Sequence, residues 1–119
     1  MTPKELRNER WAERMIKNLR QRNMEAFYCP TAAEAVKKVS ELIADGSSVT
    51  WGGSMPIRDM GIPQALKDRG TLEVLDRDEV TDREEVVNIY ERAFTADVYL
   101  SSANAISEDG VIVNIEGNG

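Results

Sequence analysis

The sequence predicts an α/β fold with a mainly parallel sheet that ends in an antiparallel hairpin. Short apolar strands alternate with amphipathic helices along most of the chain, which is typical of parallel sheets with helical crossovers. Near the C-terminal end, Asp109-Gly110 lies between two apolar runs, a strong hairpin signal. A chain of 119 residues has room for one hydrophobic core, so we expect a single domain over residues 1–119.

The helices are predicted from apolar periodicity and capping residues. An N-terminal amphipathic helix is expected over residues 1–23, because apolar side chains recur there at three- and four-residue spacings. Thr31 and Glu34 have the spacing of a capping box, and so do Thr81 and Glu84. Each pair therefore predicts the start of a helix.

Four strands and a hairpin are predicted between and after the helices. Their segments are rich in β-branched and aromatic residues and are bounded by glycine, proline or polar residues. The strands are 25–29, 48–51, 71–75 and 97–101, and the hairpin strands are NAIS and VIVNI. Ligands of open α/β sheets bind beyond the carboxyl ends of the strands. The loops after Trp51 and Leu100 are therefore the candidate site.

Charge and its distribution exclude a general nucleic-acid binder. The net charge is −6, but residues 1–23 carry seven Lys/Arg and three Glu, or +4, which leaves −10 for the other 96 residues. Nucleic-acid binders normally present a dominant basic field, so we expect no nucleic-acid partner. The basic segment is either a solvated helix face resting on an acidic body or a docking arm for an acidic partner.

No membrane span, secretory signal or metal site is predicted. The apolar runs are a few residues long, whereas a span needs about 20, and the charged N-terminal segment is unlike a signal peptide. With Cys29 as its one cysteine and with no histidine, the chain lacks the usual ligands of zinc and of iron–sulfur clusters. We expect a cytoplasmic protein with neither group and no membrane contact.

The glycine-rich loop after the second predicted strand is the first candidate ligand site. Gly52 and Gly53 leave no side chain to keep a ligand away, and Ser54 is predicted to cap the following helix. Gly61 and Pro63 are expected to break that helix into two, and each N-terminus favours an anion. The motif is equally consistent with two interpretations: a tight structural turn, and a site that binds a phosphate or carboxylate group.

The second candidate loop, SSANAISEDG, combines small polar residues with two carboxylates. Ser102 and Asn104 can hydrogen-bond a ligand, and Glu108 or Asp109 can serve as an acid or base if burial raises its pKa. The alternative is a hairpin turn with solvated acids, because Asp109-Gly110 is explained by turn chemistry alone. No histidine is present to activate a serine or the cysteine as a nucleophile.

Two segments together resemble the LUD domain of lactate-utilisation proteins. They are GGSMPIRDMGIPQALKDRG, residues 52–70, and ADVYLSSANAISEDGVIVNIEGNG, residues 96–119. The chain departs from the family pattern at Pro56, where a hydroxyl residue is expected, and at Asp59, where glutamate is usual. The resemblance spans the whole chain and implies that the family's domain continues, so that this chain covers its N-terminal half to two thirds.

The resemblance implies a three-layer α/β/α fold like that of ribose-5-phosphate isomerases, glucosamine-6-phosphate isomerases and CoA transferases. It also implies a role in oxidising lactate to pyruvate beside separate iron–sulfur partner proteins. The motif residues that it implies beside a ligand crevice are Gly52, Gly53, Ser54, Asn104, Glu108, Asp109 and Gly110.

Two functions stay open at this point. The first is a non-catalytic or accessory subunit of lactate oxidation that binds a small anionic metabolite or nucleotide. The alternative is an enzyme on an isomerase-like or CoA-transferase-like scaffold, with Glu108 or Asp109 as base or nucleophile.

We also expect a homo-oligomer. The apolar segment VIVNI, residues 111–115, is predicted to end the sheet as an edge strand. Unpaired backbone groups on such an edge are a template for another chain, and pairing two copies about a two-fold axis satisfies them.

Overall fold

The computed structural model describes residues 1–53, 55–76 and 79–114, with Met55 described only in its backbone. The described residues form a three-stranded parallel sheet, a two-stranded antiparallel pair and the helices between them. The predicted α/β class is therefore confirmed.

The elements follow the predicted alternation. In chain order they are α1 (Pro3–Gln21), α2 (Ala32–Leu42), β1 (Ser48–Trp51), α3 (Met55–Asp59), α4 (Ile62–Asp68), β2 (Glu73–Leu75), α5 (Arg83–Ala93), β3 (Val98–Leu100), β4 (Ala105–Ile106) and β5 (Ile112–Val113).

The chain divides into two compact units, and each is described by itself. Unit 1 comprises residues 1–30 and 103–119, and unit 2 comprises residues 31–102. Unit 1 contains α1 and the β4–β5 hairpin, whereas unit 2 contains the parallel sheet and the other helices. The single domain over residues 1–119 stays a prediction.

The sheet of unit 2 has the strand order β2-β1-β3, with both neighbours parallel to β1. Val49 at the centre is in register with Val74 on one side and Val98 on the other. The chain leaves β1 for β2 and then passes back across the sheet to β3. Open α/β sheets bind ligands beyond the carboxyl ends of their strands at such a reversal, which in this sheet lies at β1 and β3.

Helices face both sides of this sheet. Val49 and Trp51 on one face form the core with Ile43, Ile57, Ile62 and Leu66 from the segments of α2, α3 and α4. Glu73 is paired with the residue before Val49, so its side chain lies on the opposite face. There it forms an ion pair with Arg92 of α5. Unit 2 is thus a three-layer arrangement of helices, sheet and helix.

The cap predicted for α2 is confirmed, and the cap predicted for α5 is wrong. Thr31 caps α2 and accepts a hydrogen bond from the Glu34 N–H at 3.2 Å. Helix α5 is capped by Asp82 instead of Thr81, through a 3.0 Å hydrogen bond from the Glu84 N–H. Aspartate is at least as good an N-cap as threonine, and its negative charge also favours the helix N-terminus.

The strand predicted over residues 25–29 is also wrong, because those residues are irregular. Its aromatic side chains are not buried against a sheet: Phe27 is 45% exposed and Tyr28 is 42% exposed. After α1 the chain turns at Asn23, which has a φ of 64°. Short aromatic segments fit a strand only when a neighbouring strand is available.

The predicted break in the helix after β1 is confirmed. Gly61 separates α3 from α4 and caps α4 in the left-handed conformation, with a φ of 79°. Helix α4 begins at Ile62, so Pro63 is its second residue and lies in its first turn. The cap predicted at Ser54 lies outside the described residues.

The predicted hairpin of unit 1 is confirmed as a separate two-stranded sheet. Strands β4 and β5 are antiparallel, with Ala105 opposite Val113, and Gly110 in the turn has a φ of 87°. Among the described residues β5 pairs with β4 alone, and residue 115 of the VIVNI segment lies outside them. None of the helices in the described part of the chain has the length and apolarity to cross a bilayer.

Candidate functional site

The carboxyl edge of the unit 2 sheet holds the loops that the sequence singled out. Trp51 ends β1 and Leu100 ends β3, and the two residues are in register. Gly52 and Ser101 therefore follow neighbouring strand ends. Gly52 is partly buried and Ser101 is exposed, so this edge is reachable by a ligand.

Gly52 lies directly against the side chain of Tyr99. A Cβ atom built on Gly52 would come within 2.5 Å of the Tyr99 hydroxyl oxygen. Only glycine therefore leaves space for the phenol at this position. Tyr99 is 57% exposed, so a polar hydroxyl stands at the edge beside the glycine-rich loop.

Trp51 contributes a buried hydrogen-bond donor at the end of the central strand. The residue is 3% exposed, and its indole Nε1 has no hydrogen-bond acceptor in the part of the chain that the structure describes. Buried side-chain donors almost always have a partner. Trp51 directly precedes Gly52 in the sequence, so this donor without an acceptor among the described residues is the feature of the strand end that most calls for a partner.

A charged cluster lies at the end of β2, the remaining strand of the sheet. Asp76 comes directly after β2, is 9% exposed, and accepts a 2.6 Å hydrogen bond from the Lys67 ammonium group. Lys67 also binds the carboxylate of Glu79. Partial burial alone lowers the pKa of Lys67, but its hydrogen bonds to Asp76 and then Glu79 outweigh that effect and raise the pKa. Asp76 therefore faces a fixed positive charge.

The carboxylate loop of unit 1 rests on α1. The Glu108 carboxylate accepts a 3.1 Å hydrogen bond from Arg14, and the Glu108 carbonyl accepts one of 2.6 Å from the Asn18 amide. The Asp109 carbonyl accepts a 3.2 Å hydrogen bond from Arg22. These bonds hold the hairpin turn against the helix.

Gly110 makes that close approach possible. A Cβ atom at Gly110 would come within 3.1 Å of the backbone of Asn18 and Leu19. The residue also has the positive φ that the turn requires. Its conformation and its contact with α1 both require glycine, which is a structural role.

The candidate residues fall into two groups. Gly52, Gly53 and Ser102 belong to unit 2, whereas Asn104, Glu108, Asp109 and Gly110 belong to unit 1. The Asn104 N–H donates to the Val113 carbonyl and to the Asn114 side chain, which ties it into the hairpin. Ser54, the remaining candidate, lies outside the described residues.

Three features of the edge were not predicted from the sequence: Tyr99, the Trp51 indole with no acceptor among the described residues, and the pair of Lys67 with Asp76. Asp76 was detectable, because it is a polar residue directly after a predicted strand. The contact between Gly52 and Tyr99 needed the register of β1 against β3, which the sequence does not contain.

These features define a small α/β domain with an open parallel sheet and hydrogen-bond donors along its carboxyl edge. The model of the LUD domain family matches residues 12–119. The chain therefore belongs to the LUD domain family, as the two loop motifs indicated. Comparisons with curated proteins and with solved structures gave no match.

Proposed function

We propose that this LUD domain is a non-catalytic accessory subunit of lactate oxidation that binds a small anionic metabolite or nucleotide. Its ligand is held at the carboxyl edge, between the loops that follow β1 and β3. The proposal depends on the buried indole N–H of Trp51, which lacks an acceptor in the described residues. Membership of the LUD family supports the setting in lactate utilisation.

The chemistry of the edge favours an acceptor-rich ligand. Its side chains include the donors Trp51, Tyr99 and Ser101, and the carboxylate of Asp76 is paired with Lys67. Hydrogen bonds to a charged acceptor are stronger than those between neutral groups. Since the whole chain carries −6, long-range attraction does not assist an anion, and these short-range donors provide the affinity.

Binding is favoured over catalysis by Glu108 because of its partner. The guanidinium of Arg14 is bonded to a Glu108 carboxylate oxygen, and the residue's backbone is bonded to Asn18. A general base needs an oxygen within hydrogen-bond reach of the substrate proton. In unit 1 that carboxylate instead connects the hairpin to α1.

A thermal-shift panel with lactate, pyruvate, sugar phosphates, NAD and CoA compounds tests the proposal. A ligand at a hundred times its dissociation constant stabilises the protein by about 2.7 kcal/mol, which is readily measured. Tyr99→Phe should weaken binding by about tenfold, the equivalent of one hydrogen bond. The matched control is Tyr90→Phe on α5, which should bind normally. A panel without any stabilising compound would contradict the proposal.

Gly52→Ala tests the geometry of the same site. The new methyl group displaces the Tyr99 hydroxyl, so this variant should bind as weakly as Tyr99→Phe. The double variant should bind no more weakly than either single variant, because both changes remove one interaction. Fully additive losses would mean that Gly52 and Tyr99 act at different places.

Fluorescence tests the role of Trp51 directly. The chain has two tryptophans, so Trp11→Phe leaves Trp51 as the sole indole emitter. A ligand that accepts the indole hydrogen bond should shift the emission of this variant to longer wavelength. A compound that stabilises the protein without changing the Trp51 emission binds elsewhere, and the indole assignment is then wrong.

A further inference from the structure

The end of β2 places a buried carboxylate at the same sheet edge as the glycine-rich loop. Thr50 of β1 is in register with Leu75 of β2, so the backbone of Asp76 follows β2 next to Trp51, the last residue of β1. Neighbouring strands of a sheet are about 4.8 Å apart. Asp76 therefore lies one strand away from Gly52, on the side of β1 opposite to β3.

The charge at the end of β2 differs from that of the loops after β1 and β3. Lys67 binds the carboxylates of both Asp76 and Glu79, so one positive and two negative charges leave this cluster with a net charge of −1. A further anion is repelled by such a cluster, whereas a hydroxyl group can donate to its carboxylate oxygens. The end of β2 therefore suits an uncharged part of a ligand that carries hydroxyl groups.

Asp76 has acceptor capacity beyond its bond to Lys67. The ammonium group donates to Oδ2 of Asp76 at 2.6 Å. An ionised carboxylate accepts about four hydrogen bonds through its two oxygens, so this bond alone does not saturate the group. Hydrogen bonds to an ionised acceptor are roughly twice as strong as those between neutral groups. A hydroxyl that reaches Asp76 would thus be bound firmly.

The order of these features along the chain matches that of nucleotide-binding βαβ units. In those units a glycine-rich turn after the first strand approaches a phosphate, and an acidic residue about 20 residues further on binds a ribose hydroxyl. Here Gly52 and Gly53 follow β1, and Asp76 follows β2, 24 residues after Gly52. The two strands are parallel neighbours. The six-residue glycine fingerprint is absent from the sequence, so the match is one of topology and spacing.

We propose that the ligand of the carboxyl edge is a ribose phosphate, with its hydroxyl groups donating to Asp76 and its phosphate at Gly52 and Gly53. The inference rests on the proposed function, because it assigns the chemical class of the ligand at the same site. The glycines allow the backbone to approach the phosphate, and the uncharged sugar faces the anionic cluster at the end of β2. Ribonucleotides and free sugar phosphates share this chemistry.

A comparison of ADP with 2′,3′-dideoxy-ADP on the wild-type chain tests the inference. The two compounds have the same base and the same phosphates, and only ADP has the ribose hydroxyl groups. ADP should bind at least about tenfold more tightly, because a site that hydrogen-bonds a hydroxyl discriminates against an analogue that lacks it. The concentration dependence of the unfolding midpoint gives both affinities. Equal affinities would overturn the inference.

Asp76→Asn tests the residue that binds the hydroxyl groups. The amide keeps the size of the side chain and removes its charge, so the preference for ADP over its dideoxy analogue should fall to about threefold or less. The matched control is Asp68→Asn, which removes the charge of an exposed aspartate of α4 and should keep the full preference. If both variants keep it, Asp76 does not bind the ribose.

A double variant keeps this test valid if Asp76→Asn fails to fold. Removing one member of a buried ion pair leaves an uncompensated charge, whereas removing both members avoids it. K67M/D76N should therefore fold, as thermal unfolding without ligand can check, and should show the same reduced preference for ADP. A folded double variant that retains the wild-type preference would contradict the role of Asp76.

The remaining compounds identify the source of the ribose and separate the two proposals. If ribose 5-phosphate binds as tightly as ADP, the ligand is a free sugar phosphate, and if ADP alone binds, the ligand is a nucleotide. Stabilisation by lactate or pyruvate, with none by either ribose compound, would overturn the ribose inference and leave the proposed function standing. A panel in which no compound stabilises the chain would contradict both.

Discussion

Unit 2 and unit 1 are stabilised by different kinds of contact. In unit 2 the core is apolar and closed: Val49 is 0% exposed and Leu66 is 1% exposed. In unit 1, α1 has no buried residue, and exposed polar bonds from Arg14, Asn18 and Arg22 hold the hairpin turn. Burial of apolar side chains therefore stabilises the sheet of unit 2, whereas surface hydrogen bonds stabilise the contact between α1 and the hairpin in unit 1.

The difference sets how firmly each unit holds its residues in place. Burying one Leu or Val side chain contributes about 1.5–3 kcal/mol, whereas an exposed ion pair contributes about 0–1 kcal/mol and is screened by salt. The edge with Gly52 and Tyr99 therefore belongs to the more stable of the two units. The proposed binding site requires this stability if it is to be formed before the ligand binds. The contact of Glu108 with α1 should open first and should weaken as salt is added.

The largest expected effect compares the same substitution in both units. Leu66→Ala removes a fully buried side chain of unit 2 and should cost about 3 kcal/mol of unfolding free energy. Leu6→Ala in α1 removes a side chain that is 42% exposed and should cost less than about 1 kcal/mol. Urea unfolding measures both values. Equal losses would show that α1 is as tightly packed as the sheet.

A smaller effect is expected at two glycines with the same backbone conformation. Gly110 and Gly46 have φ values of 87° and 84°, but a Cβ meets the backbone of α1 only at Gly110 and open space at Gly46. Gly46→Ala should cost about 1 kcal/mol from the left-handed conformation alone. Gly110→Ala adds overpacking and should cost about 2 kcal/mol or more.

Hydrogen exchange locates the loss caused by Gly110→Ala. Amides of α1 should exchange faster in this variant, while amides of β1 should keep their protection. A variant whose α1 exchanges at the wild-type rate would show that Gly110 does not hold the turn against the helix.

The next effect concerns which residue starts α5. Because Asp82 accepts the hydrogen bond from the Glu84 N–H, Asp82→Ala should cost about 1 kcal/mol. Thr81→Ala is the matched control and should cost less than about 0.5 kcal/mol. Thermal unfolding separates the two variants, and the reverse order would restore the capping box predicted from the sequence.

Most of the fold was predictable because local signals agree with one another. The T-x-x-E spacing at Thr31, the break at Gly61 and the turn at Gly110 each have a cause within a few residues. The strand predicted over residues 25–29 was wrong because a strand exists only through its neighbour. At α5 two adjacent residues satisfied the rule for an N-cap, and the sequence alone does not rank Thr81 above Asp82.

The candidate site was predictable only as loops. Sequence order identified the segments after β1 and β3, because loops at the carboxyl edge follow from the parallel topology. The side chains that characterise the edge depend on packing. The Tyr99 hydroxyl reaches Gly52 through strand register, and the Trp51 indole is buried without an acceptor in the part of the chain that the structure describes. Neither property has a sequence pattern.

The smallest expected effect concerns a polar contact at the surface of unit 2. The Asp45 carboxylate accepts hydrogen bonds of 2.6 Å from Thr71 and from Arg69. The bond from Thr71 and then that from Arg69 lower the pKa of Asp45 below its ordinary value of 3.8. Since folding lowers this pKa, the ionised carboxylate stabilises the fold above pH 3.8, and that contribution is lost as the pH falls through the folded-state pKa.

Asp45→Asn should therefore lower Tm slightly at pH 7, and the gap to wild type should close as the pH falls below 3.8. The matched control is Asp59→Asn, an exposed aspartate without a hydrogen bond or ion pair to another described residue. At pH 7 its Tm should match that of wild type, because the substitution removes no contact among the described residues. If the gap for Asp45→Asn is the same in acid as at pH 7, the contact acts through its geometry and not through the charge. In that case the Asp45 contact would not make the stability of unit 2 depend on acid. The Glu108 contact of unit 1 would still be expected to weaken as salt is added.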